Sequence, residues 1–161
     1  MKTITVNGQT LQPSKILCVG RNYRAHIQEL GNEIPDSMVV FNKPNSAISD
    51  ILRSDINNQS LHYESELAFT IKAGNLDSVG FGLDLTKRRL QSALKEKGLP
   101  WERAKAFDGA ALFSQFVAIP KDLEDLSLQL NVDGEQRQAG GTPLMIYTPA
   151  QIVRELETFT T

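Results

Sequence analysis

The chain has 161 residues, with 17 Lys and Arg, 19 Asp and Glu, and a formal net charge of −2. This length predicts one domain over residues 1–161, and an apolar fraction of 40% is enough to build a core. The near-balanced charge argues against a nucleic-acid partner, and no apolar run reaches the roughly 18 residues that would indicate a membrane span.

The first half of the chain predicts short strands and one helix. Asn7-Gly8 is typical of a tight hairpin turn between two short strands. Residues 16–19 and 38–41 are short apolar strands, a helix is expected over 23–30, and the polar stretch 45–60 is expected to be a loop. Cys18, the only cysteine, lies in the first of these apolar strands, where we expect an inert buried thiol. A single cysteine and the absence of a secretory signal at the start favour the cytoplasm.

The second half predicts two longer strands and a hairpin. Apolar and polar residues alternate over 62–71 and again over 79–85, which is typical of half-buried strands. A helix is expected over 86–97. Residues 126–132 form another strand, which the dipeptide Asp133-Gly134 turns back into a hairpin.

The last predicted element is a helix that begins after Thr148. Thr148 and Gln151 form a capping-box pattern, with Pro149 at the first helical position. The expected buried stripe of this helix is Ile152, Val153, Leu156 and Phe159. With about seven strands and three helices, the fold class is α+β and β-rich.

Three carboxylates form the strongest candidate site. Glu64 and Glu66 lie two apart on a strand, so their side chains point to the same face, with Cα atoms about 6.6 Å apart at strand rise. Asp84, at the end of a nearby strand, could supply a third oxygen ligand. An all-carboxylate site suits Mg²⁺, Mn²⁺ or Ca²⁺. The alternative is that both glutamates form the solvent-facing side of a half-buried strand.

Two further segments carry candidate catalytic side chains. His26 and Glu29 share one face of the helix that follows Gly20, and a carboxylate beside an imidazole suits a general base. The alternative is a surface His–Glu pair. Lys105, among aromatic residues, is a candidate cation for a substrate carboxylate, and the alternative is a surface lysine whose stem covers apolar area.

Taken in order, these segments resemble the fumarylacetoacetate hydrolase family, most closely its short acylpyruvate hydrolase and oxaloacetate decarboxylase branch. The resemblance covers essentially the whole chain. The motifs that carry it are Gly20-Arg21-Asn22-Tyr23 with His26 and Glu29, Asn42-Lys43-Pro44, Glu64-Ser65-Glu66, Leu83-Asp84-Leu85-Thr86, Lys97-Gly98-Leu99-Pro100-Trp101, Ala104-Lys105, and Asp133-Gly134 with Arg137-Gln138.

The resemblance implies roles for individual residues. It implies that Glu64, Glu66 and Asp84 bind the metal, preferably Mg²⁺. The implied catalytic residues are His26, Glu29 and Lys105, with the His–Glu pair on a short lid helix. The implied substrate-binding residues are Arg21, Tyr23, Arg88 and Gln91.

The resemblance also implies a mixed β-sheet roll, usually a homodimer, of the family's C-terminal-domain type. Family members continue past the final helix into a strand and a Gly-rich loop that lines the pocket. We therefore expect a chain that lacks these closing strands.

The implied function is metal-dependent cleavage of C–C bonds in small 2-oxo acids, such as acylpyruvates or oxaloacetate, through a metal-stabilised enolate. Two alternatives remain open. One is an isomerase or tautomerase that uses the same metal site, and the other is a non-catalytic, truncated family member.

Overall fold

The computed structural model describes residues 1–23 and 35–160, and a hairpin of two long strands forms its centre. Within these residues the strands are β1 Ile4–Val6, β2 Gln9–Leu11, β3 Lys15–Gly20, β4 Val39–Pro44, β5 Asp55–Ile56, β6 Gln59–Ser60, β7 His62–Lys72, β8 Asn75–Thr86, β9 Ala111–Phe113, β10 Val117–Ala118, β11 Ser127–Val132 and β12 Glu135–Gly141. The helices are α1 Arg88–Glu96, α2 Glu102–Lys105 and α3 Pro149–Leu156. No helix in these ranges is long and apolar enough to cross a membrane.

The strands form one four-stranded sheet and four separate hairpins. In the sheet, β8 pairs with β7 on one side and with β9 and β10 on the other. The hairpins are β1–β2, β3–β4, β5–β6 and β11–β12. Neighbouring strands run antiparallel throughout the described residues, and parallel pairing occurs at two isolated bridges, Val6–Phe116 and Ile48–Ala111. This β-rich α+β architecture with a few short helices is the predicted fold class.

The turn residues predicted two of the hairpins. Asn7 and Gly8 have φ values of 49° and 76°, and Asp133 and Gly134 have 53° and 82°, as a two-residue turn with two left-handed positions requires. The capping box at the start of α3 is also confirmed, with both of its hydrogen bonds present.

Two predicted elements and one predicted buried residue differ from the structure. The expected loop over 45–60 contains a 3₁₀ turn, Asn45–Ala47, and the β5–β6 hairpin. The expected helix over 86–97 begins only at Arg88, because Thr86 still pairs with His62 as the last residue of β8. Phe159 was predicted to be buried, but the helix ends before it and its side chain is 60% exposed.

Candidate active site

The site lies in a cleft against the β7–β8 hairpin. The cleft has a volume of about 1030 Å³. In the register of the hairpin, Glu64 lies opposite Asp84 and Glu66 opposite Gly82. Residues directly opposite each other across a strand pair share a face, so the three carboxylates predicted to bind metal lie on one wall, and all three line the cleft.

Lys105 lies between two of these carboxylates. Its Nζ donates hydrogen bonds to Glu64 Oε2 at 2.8 Å, to Asp84 Oδ2 at 2.7 Å and to Thr86 Oγ1 at 2.7 Å. Its side chain is nearly fully buried, so the alternative of a surface lysine is wrong. Burial alone would lower the pKa of Lys105, but the Asp84 and Glu64 carboxylates outweigh burial and raise the pKa above its ordinary value.

Arg88 contacts the other oxygen of Glu64. One guanidinium nitrogen forms an ion pair with Glu64 Oε1, and the other donates a hydrogen bond of 2.8 Å to Gln91 Oε1. Arg88 and Gln91 are three apart on α1, so both face the cleft. Burial would raise the pKa of Glu64, but Lys105 and Arg88 together lower it to about 2. Glu64 is therefore ionised.

Lys43, on β4, contacts Asp84 and the backbone beside it. Its Nζ lies 2.8 Å from Asp84 Oδ1 and donates hydrogen bonds to the carbonyl oxygens of Leu85, at 3.3 Å, and of Lys105. The side chain is only 1% exposed. Burial lowers the pKa of Lys43, and Asp84 opposes that shift. Sequence reasoning assigned Lys43 no role, because the predicted apolar strand ended at residue 41 and the only signal was the place of Lys43 in the Asn42-Lys43-Pro44 motif.

Gln138, on β12, is a second residue that sequence reasoning left without a role. Its side-chain amide forms two hydrogen bonds with the backbone of Ser65, the residue between the two glutamates. The signal in the sequence was weak, since only its place beside Arg137 in the family motif set it apart.

The surroundings of Glu66 indicate whether the three carboxylates on this wall of the cleft fit a metal ion. Among residues 1–23 and 35–160, no donor forms a hydrogen bond with its carboxylate. Burial raises the pKa of Glu66 to about 8, and the charges of Asp84 and Glu64 add to that shift. A buried carboxylate without a cation is unfavourable. The donor set, three carboxylates of which one lacks a partner, fits a hard divalent cation.

The carboxylates do not converge on one point as they stand. In the described part of the chain, no group of three His, Cys, Asp or Glu side chains is arranged to hold one ion. Lys105 bonds to both Glu64 and Asp84, so its ammonium group takes the place between them. The metal-binding role of the three carboxylates therefore stays a prediction.

The other predicted site residues divide into two groups. Arg21 and Tyr23 line the cleft. Within the described ranges 1–23 and 35–160, the buried Tyr23 hydroxyl has no hydrogen-bond partner. Burial, with a contribution from Glu66, raises the pKa of Tyr23 to about 12. His26 and Glu29, and most of the expected helix over 23–30, lie outside the described residues.

Comparison with known proteins decides the family. Residues 15–161 match the family model described as "Fumarylacetoacetate (FAA) hydrolase C-terminal". The chain belongs to the fumarylacetoacetate hydrolase family. Its fold is thus the predicted one, and the relatives described next are named as enzymes.

Three relatives illustrate what the family does. Oxaloacetate tautomerase YcgM of Escherichia coli (strain K12) is 37% identical in an alignment of 167 positions that covers 92% of this chain and 75% of that protein. The mitochondrial oxaloacetate decarboxylase of Dictyostelium discoideum is 34% identical, over 91% of this chain and 75% of that one. The crystal structure of fumarylpyruvate hydrolase from Pseudomonas aeruginosa in complex with Mn²⁺ and pyruvate has a TM-score of 0.88 and 30% identity, over 98% of this chain and 78% of that one.

The Cys18 thiol, which lines the cleft, is expected to react slowly in the native protein. Cys18 is half-buried on β3, and burial, with a contribution from Asp84, raises its pKa from 9.0 to about 12. Because only the thiolate reacts, the reactive fraction at pH 8 falls from about 10⁻¹ to about 10⁻⁴. We expect iodoacetamide to alkylate the native protein about 100-fold or more slowly than the urea-unfolded protein, as followed by mass spectrometry. Equal rates would contradict the burial of this thiol.

Proposed function

We propose that this chain is an enzyme that binds a small dicarboxylic 2-oxo acid at a divalent-metal site and catalyses keto–enol tautomerization of oxaloacetate. The observation that carries the proposal is the arrangement of Lys105 and Arg88 against Glu64 and Asp84 in the cleft. Glu66 lies beside them, and its carboxylate accepts no hydrogen bond from the part of the chain that the structure describes. The relatives named as oxaloacetate tautomerases support the reaction, and the solved relative with Mn²⁺ and pyruvate supports the kind of metal and ligand.

The charges of the site favour a dianion. Glu64, Glu66 and Asp84 are matched in number by Lys43, Lys105 and Arg88, and Arg21 lines the same cleft as a further cation. A divalent cation held by the three carboxylates supplies a Lewis acid for the 2-oxo group and brings two positive charges, which match the two carboxylates of oxaloacetate.

The chain's own side chains then have distinct tasks. The Lys105 ammonium group donates a hydrogen bond to the oxygen on which negative charge develops as the proton leaves the neighbouring carbon. Arg88, held by Gln91, binds a substrate carboxylate. Arg21 and Tyr23 are further proposed substrate contacts. His26, oriented by Glu29, is the proposed base that moves the proton. The homodimer and the cytoplasmic location also stay predictions.

Cleavage of a C–C bond is the second candidate. It is favoured by the decarboxylase and the fumarylpyruvate hydrolase among the relatives. It would use the same cations for the developing charge, with His26 activating water in the hydrolytic case.

Parallel assays test the proposal. The ultraviolet absorbance of enol-oxaloacetate is followed after addition of the protein with Mn²⁺, with Mg²⁺ or with EDTA, and pyruvate release is measured from oxaloacetate and from an acylpyruvate. We expect keto–enol exchange to accelerate by at least about tenfold with metal and to return to the spontaneous rate in EDTA. Pyruvate release that outpaces tautomerization would favour cleavage. Acceleration of neither reaction would overturn both candidates and favour a non-catalytic member.

A further inference from the structure

At Ser65, the edge of β7 that faces away from β8 is paired by a side-chain amide rather than by a strand. Ser65 lies opposite Leu83 in the β7–β8 pair. Gln138 Oε1 accepts a hydrogen bond of 2.8 Å from the Ser65 N–H, and Gln138 Nε2 donates one of 2.7 Å to the Ser65 carbonyl. In an antiparallel pair, every second residue directs both backbone groups away from its neighbour. Gln138 therefore supplies the two hydrogen bonds that a further strand would give.

Water cannot easily take over these two bonds. Ser65 is fully buried, with a relative exposure of 0%. An unpaired N–H or carbonyl at such a position carries the full cost of desolvation. Loss of the Gln138 amide would therefore force the backbone at Ser65 to move, and this backbone carries Glu64 on one side and Glu66 on the other.

A β-bulge directs Gln138 toward β7. In the β11–β12 hairpin, Leu130 lies opposite Gln138 but Asn131 lies opposite Gln136, so Arg137 has no opposite residue. A bulge bends its strand and redirects the side chains beside it, and bulges are frequent next to active sites. The irregularity immediately precedes the residue whose amide reaches β7.

We infer that Gln138 is a positioning residue for the metal site. By holding the peptide at Ser65, it fixes the direction in which Glu64 and Glu66 enter the cleft, so that both carboxylates can bind one cation. The inference rests on the proposed function, because it concerns the metal site which that function requires. Groups that orient metal ligands from outside typically change metal affinity by about 10–100-fold when they are removed.

Two variants and one control test the inference in the full chain. Gln138→Met keeps the length of the side chain and removes both hydrogen bonds. Gln138→Glu keeps the acceptor for the Ser65 N–H but loses the donor, and its added negative charge would by itself strengthen Mn²⁺ binding. Gln136→Ala, exposed on the same strand, is the matched control. The measurements are Mn²⁺ affinity by calorimetry and, without metal, amide exchange at Ser65 by NMR.

For Gln138→Met we expect Ser65 amide exchange at least about tenfold faster and Mn²⁺ affinity about 10–100-fold weaker. Gln138→Glu should keep Ser65 protected yet also bind Mn²⁺ more weakly, a result that only altered geometry can give. Gln136→Ala should match the wild type. Wild-type Mn²⁺ affinity in both Gln138 variants would overturn the inference, even if Ser65 exchange were faster, because Gln138 would then be structural only. Absence of Mn²⁺ binding in the wild type and in Gln136→Ala would instead overturn the proposed function, and the inference with it.

Discussion

Replacing Lys105 with methionine is expected to lower the metal-dependent turnover of oxaloacetate by about 10²–10³-fold. The same change should destabilise the metal-free protein by about 3–5 kcal/mol. Both effects follow from the same contacts, since one buried ammonium group bonds to Glu64, Asp84 and Thr86. Without it, two carboxylates in a cleft face each other with no cation between them. Turnover is measured by enol absorbance, and the free energy of unfolding by urea denaturation.

Mn²⁺ separates the two effects of the Lys105 change. A divalent cation can replace the ammonium charge between the carboxylates, so Mn²⁺ should restore much of the lost stability but not the lost turnover. Lys121→Met, which removes an exposed lysine, is the control for the change in net charge and should alter neither quantity. Wild-type stability of Lys105→Met without metal would contradict the contacts described above. Wild-type turnover would remove Lys105 from the catalytic machinery.

The sequence predicted the carboxylate wall because the strand period is local. Side chains alternate between the two faces along β7, so Glu64 and Glu66 lie on one face regardless of how the rest of the chain folds. Their closeness to Asp84 depends on the β7–β8 register, which the turn between the strands and a one-residue shift between Thr70 and Ile71 set together. That shift has no signal in the sequence. The two hairpins with Asn-Gly and Asp-Gly turns were predictable for the same reason, since the two central residues largely determine the turn.

The β5–β6 hairpin was missed because its local signal is weak. Its strands are two residues long, too short to show a period, and its turn residues are Asn57 and Asn58, with φ values of 53° and 60° and no glycine. Asparagine tolerates the left-handed region, but an Asn-Asn pair in a polar stretch is also common in loops.

The roles of Lys43 and Gln138 were missed because their partners are distant in the sequence. Gln138 bonds to a residue 73 positions away, and Lys43 to a carbonyl 42 positions away. No period or turn signal connects such pairs. Sequence reasoning singled out Glu64, Glu66 and Asp84, which line the cleft, but gave no role to Lys43 and Gln138, because only the folded chain brings these two into contact with the β7–β8 hairpin.

Replacing Lys43 with methionine is expected to destabilise the metal-free protein by about 3–5 kcal/mol, as measured by urea denaturation. The reason is burial, because loss of the 1%-exposed lysine removes the ion pair with Asp84 and the donor to the carbonyl oxygens of Leu85 and Lys105. Methionine fills a similar volume and donates no hydrogen bond. Since the Lys105 carbonyl ends α2, its release should also shift the Lys105 side chain and reduce turnover. Lys72→Met, at an exposed position of β7, should leave both quantities unchanged.

A double-mutant cycle with Asp84→Asn separates the ion pair from the hydrogen bonds to the two carbonyl groups. If Lys43 acts mainly through Asp84, the double variant should lose less stability than the two single variants together, by about 1–3 kcal/mol, because the pair is lost only once. Strictly additive losses would mean that Lys43 acts through the backbone carbonyls alone and that the 2.8 Å contact with Asp84 contributes nothing. The cycle is measured without metal, so its result depends on the contacts of Lys43 and not on any ion bound in the cleft. A coupling of the expected size would make the 2.8 Å ion pair between Lys43 and Asp84 a net stabilising contact in the metal-free protein.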